Sequence, residues 1–309
     1  MKLSAEDIAR VKGLGCLRDK TTEDCFNVRV ITRNGKITSR ESRAIADAAE
    51  KFGSGELAMT TRQTVEIQRV PYNNIDALIS YLADFGLEPG GTGPKVRPIV
   101  SCKGTTCVFG LIDTFALSEK IHERFYKGYR SVKLPHKFKI AVGGCPNNCV
   151  KPDLNDVGII GQSLCEPDLD ACRACKSCAV EKACPMGAAR REEKLVIDGE
   201  LCNSCGRCRA KCPFGVFGGA VSGYKLLIGG RWGKKCARGI PISKIFTSEE
   251  EVLCAVEKAI LLFKSRGVAG ERFADTIARI GFEEAERLIL EDELLSARDA
   301  IISAPINEK

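Results

Sequence analysis

Two cysteine runs dominate the chemistry available to this chain. Cys172-x2-Cys175-x2-Cys178-x5-Cys184-Pro185 is followed by Cys202-x2-Cys205-x2-Cys208-x3-Cys212-Pro213. Thiolates at C-x2-C-x2-C spacing converge on three corners of one 4Fe-4S cubane, while amides of the same loop point at the sulfides. In two-cluster modules the fourth cysteine, placed before proline, ligates the other cluster. That rule pairs Cys172, Cys175 and Cys178 with Cys212, and Cys202, Cys205 and Cys208 with Cys184. The second run matches the bacterial pattern throughout, whereas the first carries two extra residues before Cys184. The competing reading is a pair of structural zinc sites.

Composition narrows the choice. The chain has 17 cysteines among 309 residues but only two histidines, His122 and His136. Mixed Cys/His zinc sites are therefore scarce, and cysteine in this quantity points to iron–sulfur chemistry. The opening MKLSAEDIAR lacks the apolar core of a cleaved signal, and the apolar run Ala259–Phe263 is too short to span a bilayer. The expectation is a cytoplasmic protein with reduced thiols rather than a disulfide framework.

Four more cysteines lie upstream, as Cys102-x4-Cys107 and as Gly143-Gly-Cys145-Pro-Asn-Asn-Cys149. The alternation in Lys137-Phe-Lys-Ile-Ala-Val142 predicts a strand feeding the second pair. The glycines allow close backbone approach to a large planar cofactor. Here the chain resembles the siroheme-dependent sulfite and nitrite reductases, whose cluster motif is C-x5-C followed by G-C-x-N-x-C. The resemblance implies a third 4Fe-4S cluster on Cys102, Cys107, Cys145 and Cys149, with Cys149 bridging to the siroheme iron. The Cys102–Cys107 spacing is one residue shorter than the family's.

The resemblance covers most of the chain. Met59-Thr-Thr-Arg-Gln-Thr64 is similar to the family's T-x-R-Q-T segment, in which Arg62 would bind the substrate oxyanion. Pro135-His-Lys-Phe-Lys139 resembles the K-x-K pair over the siroheme. Asn27-Val-Arg-Val-Ile-Thr-Arg-Asn-Gly35 resembles a segment supplying another arginine, Arg29, with Arg33 as the alternative register. Gly229-Gly-Arg-Trp-Gly-Lys-Lys235 resembles a late loop that contacts siroheme carboxylates. The implied catalytic set is Arg29, Arg62, Lys137 and Lys139. The implied siroheme contacts are Cys149, Asn147, Arg97, Arg231, Lys234 and Lys235. Within the family, the inserted two-cluster module resembles the small dissimilatory-type enzymes and the siroheme-bearing chain of the anaerobic sulfite reductases.

Elementary chemistry supports the same set. Lysines at i and i+2 of one strand share a face. Arginine offers an oxyanion a planar fork, whereas lysine offers a point charge and protons. The net charge of +7 meets about −6 from three clusters at about −2 each, besides the siroheme carboxylates. The basic balance is thus no argument for nucleic acid, and no basic stripe with interleaved aromatics is present.

The elements that must position these groups are mixed. Thr38 and Glu41 form a capping box before a helix carrying Ala44, Ile45, Ala48, Ala49 and Phe52, closed by Gly53. Ile75, Leu78, Ile79 and Leu82 mark a second helix, and residues 249–266 a third, with Val65–Gln68 and Val157–Ile160 as strands between. Cys16, Cys25, Cys165, Cys236 and Cys254 read as small buried residues. The expected fold is α+β: a single copy of the siroheme/4Fe-4S reductase half with an inserted two-cluster ferredoxin-like domain. Residues 1–90 would form the substrate-side domain. Residues 91–165 and 218–309 would form the siroheme/cluster domain, and 166–217 the insert. The resemblance implies reduction of sulfite to sulfide, with siroheme and three 4Fe-4S clusters as cofactors. Electrons would come from a ferredoxin or from flavin/iron–sulfur subunits, and the single copy implies a homodimer or larger assembly. The alternatives are nitrite reduction to ammonia with the same cofactors and a non-catalytic polyferredoxin, though a pure relay needs no oxyanion clamp.

Overall fold

The helix that Thr38 and Glu41 predict begins at Ser39. The Glu41 amide donates to Thr38 Oγ1 at 3.2 Å, and the Thr38 amide to Glu41 Oε2 at 2.6 Å, which satisfies two donors that a helix start leaves orphaned. The apolar stripe Ala44, Ile45, Ala48 and Ala49 is buried, and Gly53 closes the helix. These features come from a computed structural model, which describes residues 3–164, 166–219 and 221–308.

Along the chain run α1 (Ala5–Gly13), β1 (Cys16–Arg18), β2 (Cys25–Val30), α2 (Ser39–Phe52), β3 (Leu57–Met59), β4 (Val65–Pro71) and α3 (Ile75–Ala83). Next come β5 (Val100–Ser101), α4 (Thr114–Ile121), a π-helical turn (His122–Lys127), β6 (Ile140–Gly143) and β7 (Val157–Leu164). The insert holds α5 (Ala179–Ala183), β8 (Ala189–Arg191) and β9 (Leu195–Ile197). After it follow β10 (Val221–Ile228), β11 (Ile240–Phe246), α6 (Glu249–Arg266), α7 (Phe273–Ile280), α8 (Phe282–Leu290), α9 (Glu293–Ser296) and α10 (Arg298–Ser303). The class is mixed α+β.

Two units emerge. The first comprises Met1–Ser101, Ser118–Ala141 and Glu257–Lys309, and the second Cys102–Leu117 and Val142–Val256. The expected insert lies wholly in the second unit. Residues 91–101, 118–141 and 257–309, expected with the cluster-binding segment, lie in the first, where Phe263 and Phe273 pack around Phe138.

In the first unit, four antiparallel strands run in the order β1-β2-β4-β3. Their inward residues Val28, Val30 and Ile67 meet Ile45 of α2 and Leu78 and Leu82 of α3 in one core. Burial alternates along β2, so Arg29 leaves the core face on which Val28 and Val30 lie. Phe138 is fully buried. Its ring lies 5.7 Å from Phe263 and 5.2 Å from Phe273. Its amide donates to Lys95 O at 3.0 Å, and its carbonyl accepts from Arg97 N at 2.8 Å. Phe138→Ala should cost ~3–5 kcal/mol, the range for removing a buried aromatic side chain. Anaerobic urea unfolding measures this, and a loss under about 1 kcal/mol would show that the ring does not anchor the lysine segment.

In the second unit, β11, β10, β7 and the end of β6 at residues 142–143 lie side by side in that order. β7 pairs antiparallel with β10 along its whole length and is buried almost throughout. A Cβ on its Gly161 would lie 2.5 Å from the Gly144 carbonyl, so only glycine admits the cysteine loop this close. The insert has its own small core of Val180, Ala189, Leu195, Val216 and Phe217, against which Cys172, Cys178, Cys184, Cys208 and Cys212 pack. No helix among the described residues is long and apolar enough to cross a membrane.

Candidate cluster sites and basic face

The insert gathers its thiols into two cavities. One is bordered by Cys172, Cys175, Cys178 and Cys212, the other by Cys184, Cys202, Cys205 and Cys208. Each cavity thus takes three cysteines from one run and the pre-proline cysteine from the other. Sequence separation inside each run does not decide this; the β8–β9 hairpin carries the chain across between runs. Backbone amides converge on the sulfurs. The N–H groups of Ala174 and Leu195 hold the Cys172 thiol below its ordinary value. Burial opposes the same effect at Cys184, but the amides of Ala189, Met186, Ala188 and Gly187 together bring that thiol down. Donors aimed at sulfur favour the thiolate, the form that binds metal.

The third group forms where β6 ends. The Gly144 amide donates to Cys102 Sγ at 3.1 Å. Burial pushes the Cys145 thiol up, the Asn147 amide opposes this, and Cys102, Cys149 and Cys107 push it up further. Four thiols close enough to perturb one another suit a cluster, whose iron removes the repulsion. A Cβ on Gly144 would lie 2.8 Å from Gly104 Cα, and one on Gly143 2.9 Å from Pro152 Cγ. The close approach that the glycine pair permits is therefore to the protein's own backbone and proline, bringing the Cys102 and Cys145 loops together.

One backbone feature recurs. Ala174, Ser204 and Asn148 adopt φ values of +48°, +54° and +58°, and each directly precedes a cysteine, namely Cys175, Cys205 and Cys149. A left-handed alanine or serine costs on the order of 1 kcal/mol and persists only where its surroundings over-determine it. No residue-type pattern announced it, since only asparagine among the three favours that region.

Asp153 is a residue that sequence reasoning missed. Its Oδ1 accepts from Asn148 Nδ2 at 2.9 Å, its Oδ2 pairs with Arg238, and its carbonyl accepts from Gly239 N at 2.7 Å. It ties the turn before Cys149 to the glycine-rich loop. In that loop Arg231 and Ala237 exchange backbone hydrogen bonds at 2.9 and 3.0 Å. Between them Trp232, Lys234, Lys235 and Cys236 are exposed. Asn147 and Cys149 are exposed as well.

The first unit carries the other expected residues. Arg29 donates from Nε and Nη2 to Glu66 Oε1 at 3.0 and 2.6 Å, and from Nη1 to Gly91 O at 3.2 Å. Arg33 turns instead to Glu41, with Nη2 2.7 Å from Oε2. Arg62 sits in the turn between β3 and β4, where Nε reaches Pro98 O at 3.1 Å and Nη2 reaches Ile140 O at 3.2 Å. The neighbouring Gln63 exchanges hydrogen bonds with the Ser101 backbone at 2.7 and 2.9 Å. Lys137 and Lys139 are half-buried on either side of buried Phe138. The regular strand begins at Ile140 rather than Lys137; Phe138 forms only an isolated bridge with Val96.

Arg97 is the strongest sign of a polyanion site. Its Nη1 reaches Gly91 O, but its buried Nε has no hydrogen-bond partner. Burial pulls its pKa down to about 10, and the Arg29 charge adds to this. A guanidinium kept in such surroundings suits a ligand bringing carboxylates, as siroheme does.

Of the remaining cysteines, all expected to be buried, Cys16 is buried, whereas Cys25 and Cys254 are only half-buried. Cys236 is exposed, contrary to expectation, because it lies at the tip of the glycine-rich loop. Cys165 lies outside the described residues.

Residues 92–296 match the family described as Nitrite and sulphite reductase 4Fe-4S domain. Residues 18–85 match the Nitrite/Sulfite reductase ferredoxin-like half domain. An uncharacterised protein of Methanocaldococcus jannaschii is 30% identical over 277 residues, covering 87% of this chain and 92% of its own length. The coenzyme F420-dependent sulfite reductase of the same organism is 28% identical, again over 87% of this chain. The match spans only 44% of that relative's length. The crystal structure of dissimilatory sulfite reductase I superposes with a TM-score of 0.70 at 21% identity, covering 91% of this chain and 72% of that one. At that identity the likeness is one of fold.

Proposed function

We propose, from the premise that this chain belongs to the nitrite and sulfite reductase family, that it reduces sulfite to sulfide. The observation that carries the reading is the coexistence of three four-thiol groups with a set of basic residues that includes half-buried Arg97, whose Nε is buried without a hydrogen-bond partner. Cys149, Asn147, Arg97, Arg231, Lys234 and Lys235 would hold siroheme, and the twelve motif cysteines three 4Fe-4S clusters. When bound, these groups would relay the donor's electrons one at a time and provide the iron at which sulfite is reduced. The chain's own residues do the rest. Arg29 and Arg62 fix the oxyanion; the first is already oriented by the Glu66 carboxylate and the Gly91 carbonyl, the second by the Pro98 and Ile140 carbonyls, so little is lost in ordering them. Lys137 and Lys139 hold protons on one face and release them to the sulfite oxygens as these leave as water. A donor protein or subunit would supply the electrons.

Metal analysis and a turnover assay of anaerobically purified protein test the reading. Iron should approach roughly thirteen per chain, from four in each cluster and one in siroheme. A value near five would mean that the insert carries no clusters. With reduced methyl viologen as donor, sulfide should form from sulfite more efficiently than ammonium from nitrite. The reverse order would assign nitrite instead.

A further inference from the structure

We infer that electrons enter this chain at the Cys172 cluster site, whose rim docks an acidic one-electron carrier protein. This rests on the reading that the insert holds clusters. The two cavities differ in their surroundings. The one bearing Cys202, Cys205, Cys208 and Cys184 is partly walled by Ser163 and Leu164 of β7. The Ser163 amide donates to Ser204 O at 2.8 Å, and a Cβ on Gly206 would lie 2.8 Å from Ser163 Cβ. The Arg207 guanidinium lies 4.8 Å from the ring centroid of Phe109, two residues past Cys107. This cavity therefore adjoins the body of its unit and the Cys107 loop. The cavity bearing Cys172, Cys175, Cys178 and Cys212 is lined by insert residues alone.

The charges differ too. Arg173, Arg191 and Lys194 line the Cys172 cavity, and no acidic side chain does. Lys176 follows Cys175 in the same loop, and Arg173, Lys176 and Arg191 are all exposed. Lys194 is engaged with Leu169 O at 2.9 Å and with Asp170 at 3.8 Å. Glu192 and Glu193, at the β8–β9 tip, line neither cavity. Phe214, which also lines this cavity, is 48% exposed, and Leu169, whose carbonyl accepts from Lys194, is 41% exposed. A small apolar centre with a cationic rim is the anatomy of a transient interface steered by charge. The other cavity is lined by one acidic and one basic side chain, Glu166 and Arg207, so its lining carries no excess of positive charge. In each encounter the carrier is oxidised by one electron and the Cys172 cluster is reduced by one.

The test is anaerobic stopped-flow bleaching of cluster absorbance in the cluster-loaded full chain, which needs no sulfite turnover. The probes are a reduced acidic two-cluster ferredoxin and reduced methyl viologen, a small cation that requires no docking. Arg173→Glu/Lys176→Glu/Arg191→Glu should slow reduction by ferredoxin ~10-fold or more at low salt and abolish its salt dependence. Reduction by methyl viologen should not slow. A matched reversal on α2, Arg40→Glu/Arg43→Glu/Lys51→Glu, should keep most of the ferredoxin rate. An unchanged ferredoxin rate in the first variant, or equal losses in both, would overturn the docking assignment. No bleaching by either donor would overturn the cluster reading and this inference with it.

Discussion

Lys139→Met should lower sulfite turnover by ~10²-fold or more, the usual contribution of a positioned proton donor, while leaving every cofactor in place. Methionine keeps an unbranched stem of similar length, so the packing around Phe138 persists and only the charge and its protons are lost. The effect should fall on kcat more than on KM, because in the proposed site Arg29 and Arg62 would still hold the oxyanion. Lys139→Arg separates the two roles of the lysine. It preserves the cation but offers a group that scarcely releases protons, so KM should stay near wild type while kcat falls. Sulfide production under reducing anaerobic conditions reads both constants, and the visible spectrum confirms that siroheme and clusters are retained. Wild-type turnover in a spectroscopically intact Lys139→Met protein would remove Lys139 from the proton path. Among the basic candidates Lys139 is the sharper choice. Arg29 already spends Nε and Nη2 on Glu66 and Nη1 on Gly91, and so enters any clamp partly neutralised.

What the chain discloses before it is folded divides along physical lines. Local rules were legible. The Thr38/Glu41 capping box places α2, and acidic residues followed by Gly267 place α6 at Glu249–Arg266, because both signals act within a few residues. The cysteine spacings were legible for the same reason. Non-local choices were not. Lys137-Phe-Lys alternates like a strand, yet Phe138 forms an isolated bridge with Val96 rather than part of a ladder, and its ring is held by Phe263 and Phe273 more than a hundred positions away. The π-helical turn His122–Lys127 and the left-handed Ala174 and Ser204 carry no residue-type signal, because packing imposes them. Asp153 escaped notice because an isolated aspartate has no motif, and its importance lies in whom it touches. Cys236 broke the expectation of burial because a glycine-rich loop, rather than a core element, carries it.

Cys184→Ala should remove one cluster and spare two, lowering iron from roughly thirteen to roughly nine per chain. The cluster lost should be the one on Cys202, Cys205 and Cys208, although Cys184 belongs in sequence to the Cys172 run. Cys184 shares a cavity with those three thiols, and four amides at residues 186–189 are directed at its sulfur. Alanine there leaves three ligands and a hole where the fourth thiolate stood. The Cys172 cavity, closed by Cys212, keeps its full set. Iron content alone cannot say which cluster left, but pairs of substitutions can, because losses add only at independent sites. Under the crossed pairing, adding Cys202→Ala to Cys184→Ala removes nothing more, and iron stays near nine. Adding Cys172→Ala instead destroys a second cluster, and iron falls to roughly five. If each run served its own cluster, the two double variants would exchange values. That outcome would mean that the chain does not cross between the two cavities.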